Sequence, residues 1–224
     1  MSTYRSRGRA VGVLLVCQLA AGLILPFVLI LRLNVGSPDY LAAAAANGGR
    51  VRAAVLVSFL GAALSVAIGA VTFPVIRRYS ESLAVALVAA CSISAALDAV
   101  HGSTVMAMLA MVRNAANVPV GDASHLAAAA AVYSTRVTVH YVQLVAIAGW
   151  LSVFYLAMLR WRLVPRPIAA LGLAAVVLQF SGVTFAHYVG YPMQGALAYP
   201  LAPVHTLTAV WLIVRGFPAE EIAE

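Results

Sequence analysis

The 224-residue chain contains no lysine, only seven acidic residues and two cysteines, and 9% of its residues are charged. An ordinary soluble domain carries roughly 25% charged residues. A water-soluble globule is therefore excluded, because the chain has too little polar material to cover its surface. Intrinsic disorder is excluded as well, since 63% of the residues are hydrophobic and disorder requires low hydrophobicity with high charge. The cysteines, Cys17 and Cys91, lie in different apolar runs and form no CxxC pair, which rules out a disulfide framework and reads as small packing residues. The chain also lacks a Gly-rich phosphate loop, a GxSxG elbow and an HExxH pair, so it carries none of the mechanistic motifs of those enzyme classes.

What is present is apolar length. A membrane-crossing helix takes ~20 residues. The chain holds six candidate spans, at about 10–31, 53–76, 83–112, 133–159, 168–190 and 201–214. The class is an all-α polytopic helical bundle, a single transmembrane domain over residues 1–224 in the cell membrane. The first run follows Arg5, Arg7 and Arg9 and is longer than a signal-peptide core, so it reads as an uncleaved helix kinked by Pro26. The last run is the shortest.

Fourteen arginines give a formal net charge of +7. They sit singly or in small groups at the ends of apolar runs rather than in one basic stripe, so no nucleic-acid partner is implied. With the N-terminus inside, nine arginines fall inside (Arg5, Arg7, Arg9, Arg77, Arg78, Arg160, Arg162, Arg166, Arg215) and five outside (Arg32, Arg50, Arg52, Arg113, Arg136). The positive-inside rule then places both termini in the cytoplasm. Two outer loops carry five alanines after Leu41 and after Leu126. They read as short surface helices with Asp122 as an N-cap, and their likeness as chance recurrence in an alanine-rich chain.

Ionisable groups inside spans carry the functional signal, because an Asp or Arg at a helix centre costs roughly 2.5–3.5 kcal/mol on insertion scales. Ser94, Asp98 and His101 lie at i, i+4 and i+7 on the third run, hence on one helix face. Tyr133, Arg136, His140 and Gln143 form a stripe on the fourth, His187 and Tyr188 close the fifth, and His205 opens the sixth. The topology puts Asp98 near the middle of the membrane and converges it with His101, Arg136, His140, His187 and His205 on the outer half.

Three chemistries fit that set. Imidazoles from His101, His140, His187 and His205 are candidate ligands of a transition metal or haem, with Asp98 orienting one of them. Asp98 and His140 are a candidate acid–base pair acting on a small apolar ligand bound by Arg136, Gln143, Tyr133 and Tyr188. Alternatively, Asp98 and Arg136 are a structural pair or proton relay in a transporter or accessory subunit, and the outer rings are interfacial anchors. Met106, Met108 and Met111 do not share a face and read as packing. The bilayer is the one partner implied directly, and oligomeric state is left open.

Four segments also resemble a known family: the basic start running into Val11–Leu25, Asn47-Gly48-Gly49-Arg50-Val51-Arg52-Ala53, the stretch from Pro74 to Ala84, and Val164-Pro165-Arg166-Pro167-Ile168. In these the chain is similar to the bacterial integral membrane family called domain of unknown function 4386. The resemblance implies six or seven membrane helices and transfers no activity or site residue.

Overall fold

A computed structural model describes residues 3–30, 46–115, 123–192 and 194–218. Helix α1 (Thr3–Leu23) runs on into π-helical turns at Ile24–Ile30, which contain Pro26; a proline has no N–H for the regular ladder. Then come α2 (Gly48–Ile76), α3 (Glu81–Ala115) and α4 (Ala123–Arg160). Helix α5 (Arg166–Gln179) continues through π-helical turns at Phe180–Phe185 and a last turn at Ala186–Val189. A 3₁₀ turn at Gly195–Ala198 leads into α6 (Leu201–Arg215). No strand occurs among the described residues.

Among the described residues, five segments are long and apolar enough to cross a membrane: Gly48–Ile76, Glu81–Met111, Ala123–Arg160, Arg166–Val189 and Gly195–Arg215. Only 22% to 44% of the residues in their most apolar stretches are buried in the protein. The rest of that surface faces outward, with Leu56, Leu60, Val85, Ile93, Leu171, Val177 and Val214 each more than half exposed. Helices with this many exposed apolar side chains suit lipid, not water.

Local chemistry explains the boundaries. Ser80 caps α3, its Oγ accepting from the Leu83 amide at 3.2 Å, and Glu81 both meets the positive end of that helix and pairs with Arg77 at 3.3 Å. Pro165 precedes α5 and Pro167 stands in its first turn, where a missing N–H costs nothing. Helix α4 closes in a Schellman turn, the Leu163 amide donating to the Met158 carbonyl at 3.1 Å. Arg162 takes the left-handed position of that turn, φ 53°, which normally belongs to glycine and costs another residue roughly 1–2 kcal/mol.

Two readings need correction. The alanines at 127–131 are not a surface helix; they are early turns of α4, which runs unbroken for 38 residues because neither Gly nor Pro interrupts it before Gly149. His125, which stands in the second outer loop by the sequence's topology, belongs to the same helix. The first alanine run, apart from Ala46, and Asp122 lie outside the described residues.

The described chain packs as two compact units. The first comprises residues 1–19, 63–94 and 144–224. Its core gathers Val11 and Leu15 of α1, Ile68 of α2, Leu87 and Cys91 of α3, Trp150, Phe154, Tyr155 and Met158 of α4, and Leu212 and Phe217 at the C-terminal end. Cys91 is buried against Gly69, whereas Cys17 is exposed. Here α1 meets α6 through glycines: a Cβ on Gly12 would lie 2.7 Å from the Ala209 carbonyl, and one on Gly8 2.1 Å from the Phe217 amide nitrogen. Gly8-x-x-x-Gly12 is thus a close-packing seam of the kind that joins membrane helices. The second unit comprises residues 20–62 and 95–143, with Val51, Ala54, Val55, Val105, Met108 and Leu109 as its core.

Candidate functional site

The second unit holds the polar cluster. Asp98 and His101 stand on the buried face of α3, which continues as Val105, Met108 and Leu109. Facing groups come from α4, whose 3.6-residue repeat stacks Tyr133, Arg136, His140 and Gln143 on one side. Small residues let α2 approach: the backbone of Gly102 lies against Ser58, where an added Cβ would sit 3.3 Å from the serine Cβ.

Asp98 and Gln143 are each only 7% exposed, and Gln143 Nε2 donates to Asp98 Oδ1. That bond orients the amide, so Gln143 Oε1 is left to accept from His140 Nδ1, 3.4 Å away. A neutral imidazole with its proton on Nδ1 carries a lone pair on Nε2, so the chain Asp98–Gln143–His140 presents an electron-pair donor at its end. The His140 ring lies 5.2 Å from that of His101, tilted by 37°. His101 is 1% exposed, and neither of its ring nitrogens has a hydrogen-bond partner among the described residues. Arg136 lies with its guanidinium carbon 5.7 Å from the Tyr133 ring.

The Asp98 carboxyl group is thus held by Gln143, and Arg77 pairs with Glu81 at the turn between α2 and α3. Asp98, His101, Arg136, His140, Gln143 and Tyr133 belong to the second unit, while His187, Tyr188 and His205 belong to the first. His187 and Tyr188 are exposed near the end of α5, their rings 5.5 Å apart. His205 is buried rather than interfacial, with Nδ1 3.1 Å from the Tyr155 hydroxyl, which also meets Thr208 Oγ1 at 3.5 Å. Among the described residues, no group of three or more His, Cys, Asp or Glu side chains could hold a metal ion.

The model of one protein family, described as Domain of unknown function (DUF4386), matches residues 10–216. The chain belongs to the DUF4386 family. No curated protein and no solved structure matches it. In this DUF4386 protein the segments that carry the resemblance are helix entries and exits: Asn47–Ala53 opens α2, Pro74–Ala84 turns α2 into α3, and Val164–Ile168 leads into α5. The polar cluster stands on its own geometry, since the family description names no activity.

Tyr155 and Ser58 escaped the sequence reading. Tyr155 sits at i+12 from Gln143 in an aromatic-rich run, where a tyrosine is indistinguishable from core; only its partner His205, fifty residues on, marks it as polar.

Gln143→Leu is expected to lower stability by roughly 1.5–3 kcal/mol, because it strips a buried carboxyl group of its donor. Asp98→Asn keeps an acceptor oxygen for the same amide and should change stability little. Thermal unfolding of the two purified variants in one detergent checks this, and an equal loss in both would break the assigned bond.

Proposed function

We propose that this protein is a six-span membrane protein, both termini cytoplasmic, whose α3–α4 polar cluster binds a small lipid-soluble ligand through His101 and His140. The topology is supported at one end of the first unit. The start of α1 packs on the turn after α6 through Gly8 and Phe217, and Arg78 stacks on Tyr4 with its guanidinium carbon 4.5 Å from the ring. The N-terminus, the α2–α3 turn and the C-terminal end thus share one end, which suits an even number of crossings with α1 as the sixth.

The observation that carries the ligand reading is His101. A fully buried imidazole with two unmet nitrogens is expensive, and a bound group offering complementary hydrogen bonds removes that cost. His140 Nε2 supplies the acceptor and Gln143 sets its orientation. A primary amide in the middle of the chain holds two groups in register but does not pass a proton readily. Asp98 therefore positions His140 through Gln143, and His140 is the acid–base candidate. Because Gln143 holds the carboxyl group and both His101 nitrogens stand without a partner among the described residues, ligand binding stands ahead of a structural ion pair or a proton relay.

A transition metal held by the two imidazoles is the second reading, favoured by the 5.2 Å ring separation. One experiment separates them: metal analysis, an absorption spectrum and mass spectrometry of solvent-extracted organics, on detergent-purified wild type and His140→Ala. An organic ligand near one per chain, reduced about tenfold or more in His140→Ala, is the expected result. A stoichiometric metal or a haem band lost in the same variant would establish the second reading instead. Wild type with neither would overturn both.

A further inference from the structure

At the shared end of the first unit, Arg5, Arg162, Arg166 and Arg215 line one open cleft of about 580 Å³, together with Trp211 and Phe217. We propose that this cleft binds a phosphate group, presented by an anionic phospholipid headgroup at the membrane surface or as free phosphate.

Four features point there. All four arginines are exposed residues that line the cleft, and no carboxylate lines it among the described residues. Four like charges around one concavity repel one another until an anion enters, and guanidinium forks match phosphate oxygens bidentately. The positive-inside rule accounts for arginines at this end but not for four of them lining one cleft. Arg77, by comparison, is paired with Glu81.

The second feature is the backbone of Arg162. Its φ of 53° occupies the turn position that glycine fills at least cost, and a side chain kept in such a position points to a use. The third is the wall carrying Arg5. A Cβ on Gly216 would lie 2.5 Å from the Arg5 carbonyl oxygen, so the strand of chain after α6 is pressed against the start of α1 and holds Arg5 in place. The fourth is the lining's other half. Trp211, with the Arg215 guanidinium carbon 5.8 Å from its ring, and Phe217 give the cleft an apolar side. Basic clefts among membrane helices near the headgroup layer have the chemistry to take acidic lipid headgroups, and the size falls within the range of small-molecule sites.

The test is thermal stabilisation of the full chain in neutral detergent, titrated with dioctanoyl phosphatidylglycerol or with inorganic phosphate, each at constant ionic strength set by chloride. Three glutamates follow the cleft in sequence, Glu220, Glu221 and Glu224, so the titration is repeated on E220Q/E221Q/E224Q to remove any competition from them. Saturable stabilisation is expected, with the midpoint concentration raised about tenfold or more in R162Q/R166Q and unchanged in Arg160→Gln. A midpoint at least tenfold lower for the lipid identifies a membrane phospholipid as occupant, and equal midpoints identify phosphate itself. Arg162→Gly guards against a folding artefact: glycine relieves the left-handed turn, so this variant is expected to unfold at a higher temperature than wild type while binding more weakly. No saturable effect of either probe in wild type or the glutamine triple variant overturns the proposal, as does binding that Arg162→Gly leaves intact.

Discussion

Adding one methyl group at Gly8 or Gly12 is expected to destabilise the protein more than most side-chain truncations in its core. The Cβ of Gly12→Ala would fall 2.7 Å from the Ala209 carbonyl oxygen and 2.8 Å from the Ile213 backbone nitrogen. The Cβ of Gly8→Ala would fall 2.1 Å from the Phe217 nitrogen. In each case the obstruction is backbone, which cannot rotate away as a side-chain tip does, so the two helices must separate. Overpacking usually costs about 1–3 kcal/mol and occasionally more, and the backbone contacts place these variants at the upper end. For a chain of this size each kcal/mol lowers Tm by roughly 2–4 °C. Gly149→Ala is the control. Nothing lies within 4 Å of its added Cβ, and alanine is the better helix former by about 1 kcal/mol, so this variant should unfold at a higher temperature. Thermal unfolding of the three variants in one detergent checks the opposite signs; the same sign at Gly12 and Gly149 would refute the seam.

His101→Leu is expected to raise the stability of ligand-stripped protein by roughly 1–3 kcal/mol, the penalty of a buried polar group left unpaired. Leucine fills similar space without nitrogens to satisfy. The same variant should lose whatever the wild type retains on purification. Gain of stability with loss of binding is the signature of a site held ready at the fold's expense. The measurement is a melting curve of both proteins before and after extraction of bound organics. A lower Tm in stripped His101→Leu would mean that the imidazole has a structural partner and would remove the observation on which the ligand reading rests.

Much of the helical layout was legible because the bilayer imposes a length. Runs of about twenty apolar residues between arginine pairs located α2 through α6, and the clearest end signals, Arg77-Arg78 and Pro165–Pro167, coincide with the observed turns. The Asp98–His101 and His140–Gln143 stripes were legible for an equally simple reason: spacings of three and four put side chains on one helix face. Partner choice was not. The bond from Gln143 to Asp98 spans 45 positions in sequence, and helix spacing on each run does not register one helix against the other. The Gly8-x-x-x-Gly12 seam was visible as a spacing, but small residues do not name the helix they admit. The alanine run at 127–131 forms no separate surface helix because unbroken helical propensity from Ala123 onward carries it into α4.

The π-helical turns at Phe180–Phe185 set the direction in which His187 and Tyr188 leave α5. Each i→i+5 turn holds one residue more than a regular turn, and one residue is about 100° of rotation in an α-helix. The irregular backbone is closed by its own side chains: Ser181 Oγ returns to the Val177 carbonyl at 2.8 Å, and the Tyr191 hydroxyl donates to the Ser181 carbonyl. Such a segment is equivalent to a single inserted residue absorbed without breaking the helix. Removing one residue there would restore the regular winding and swing the outer turn of α5 about a quarter of the way around its axis. In a variant with that residue deleted, His187 and Tyr188 would leave the helix in another direction altogether.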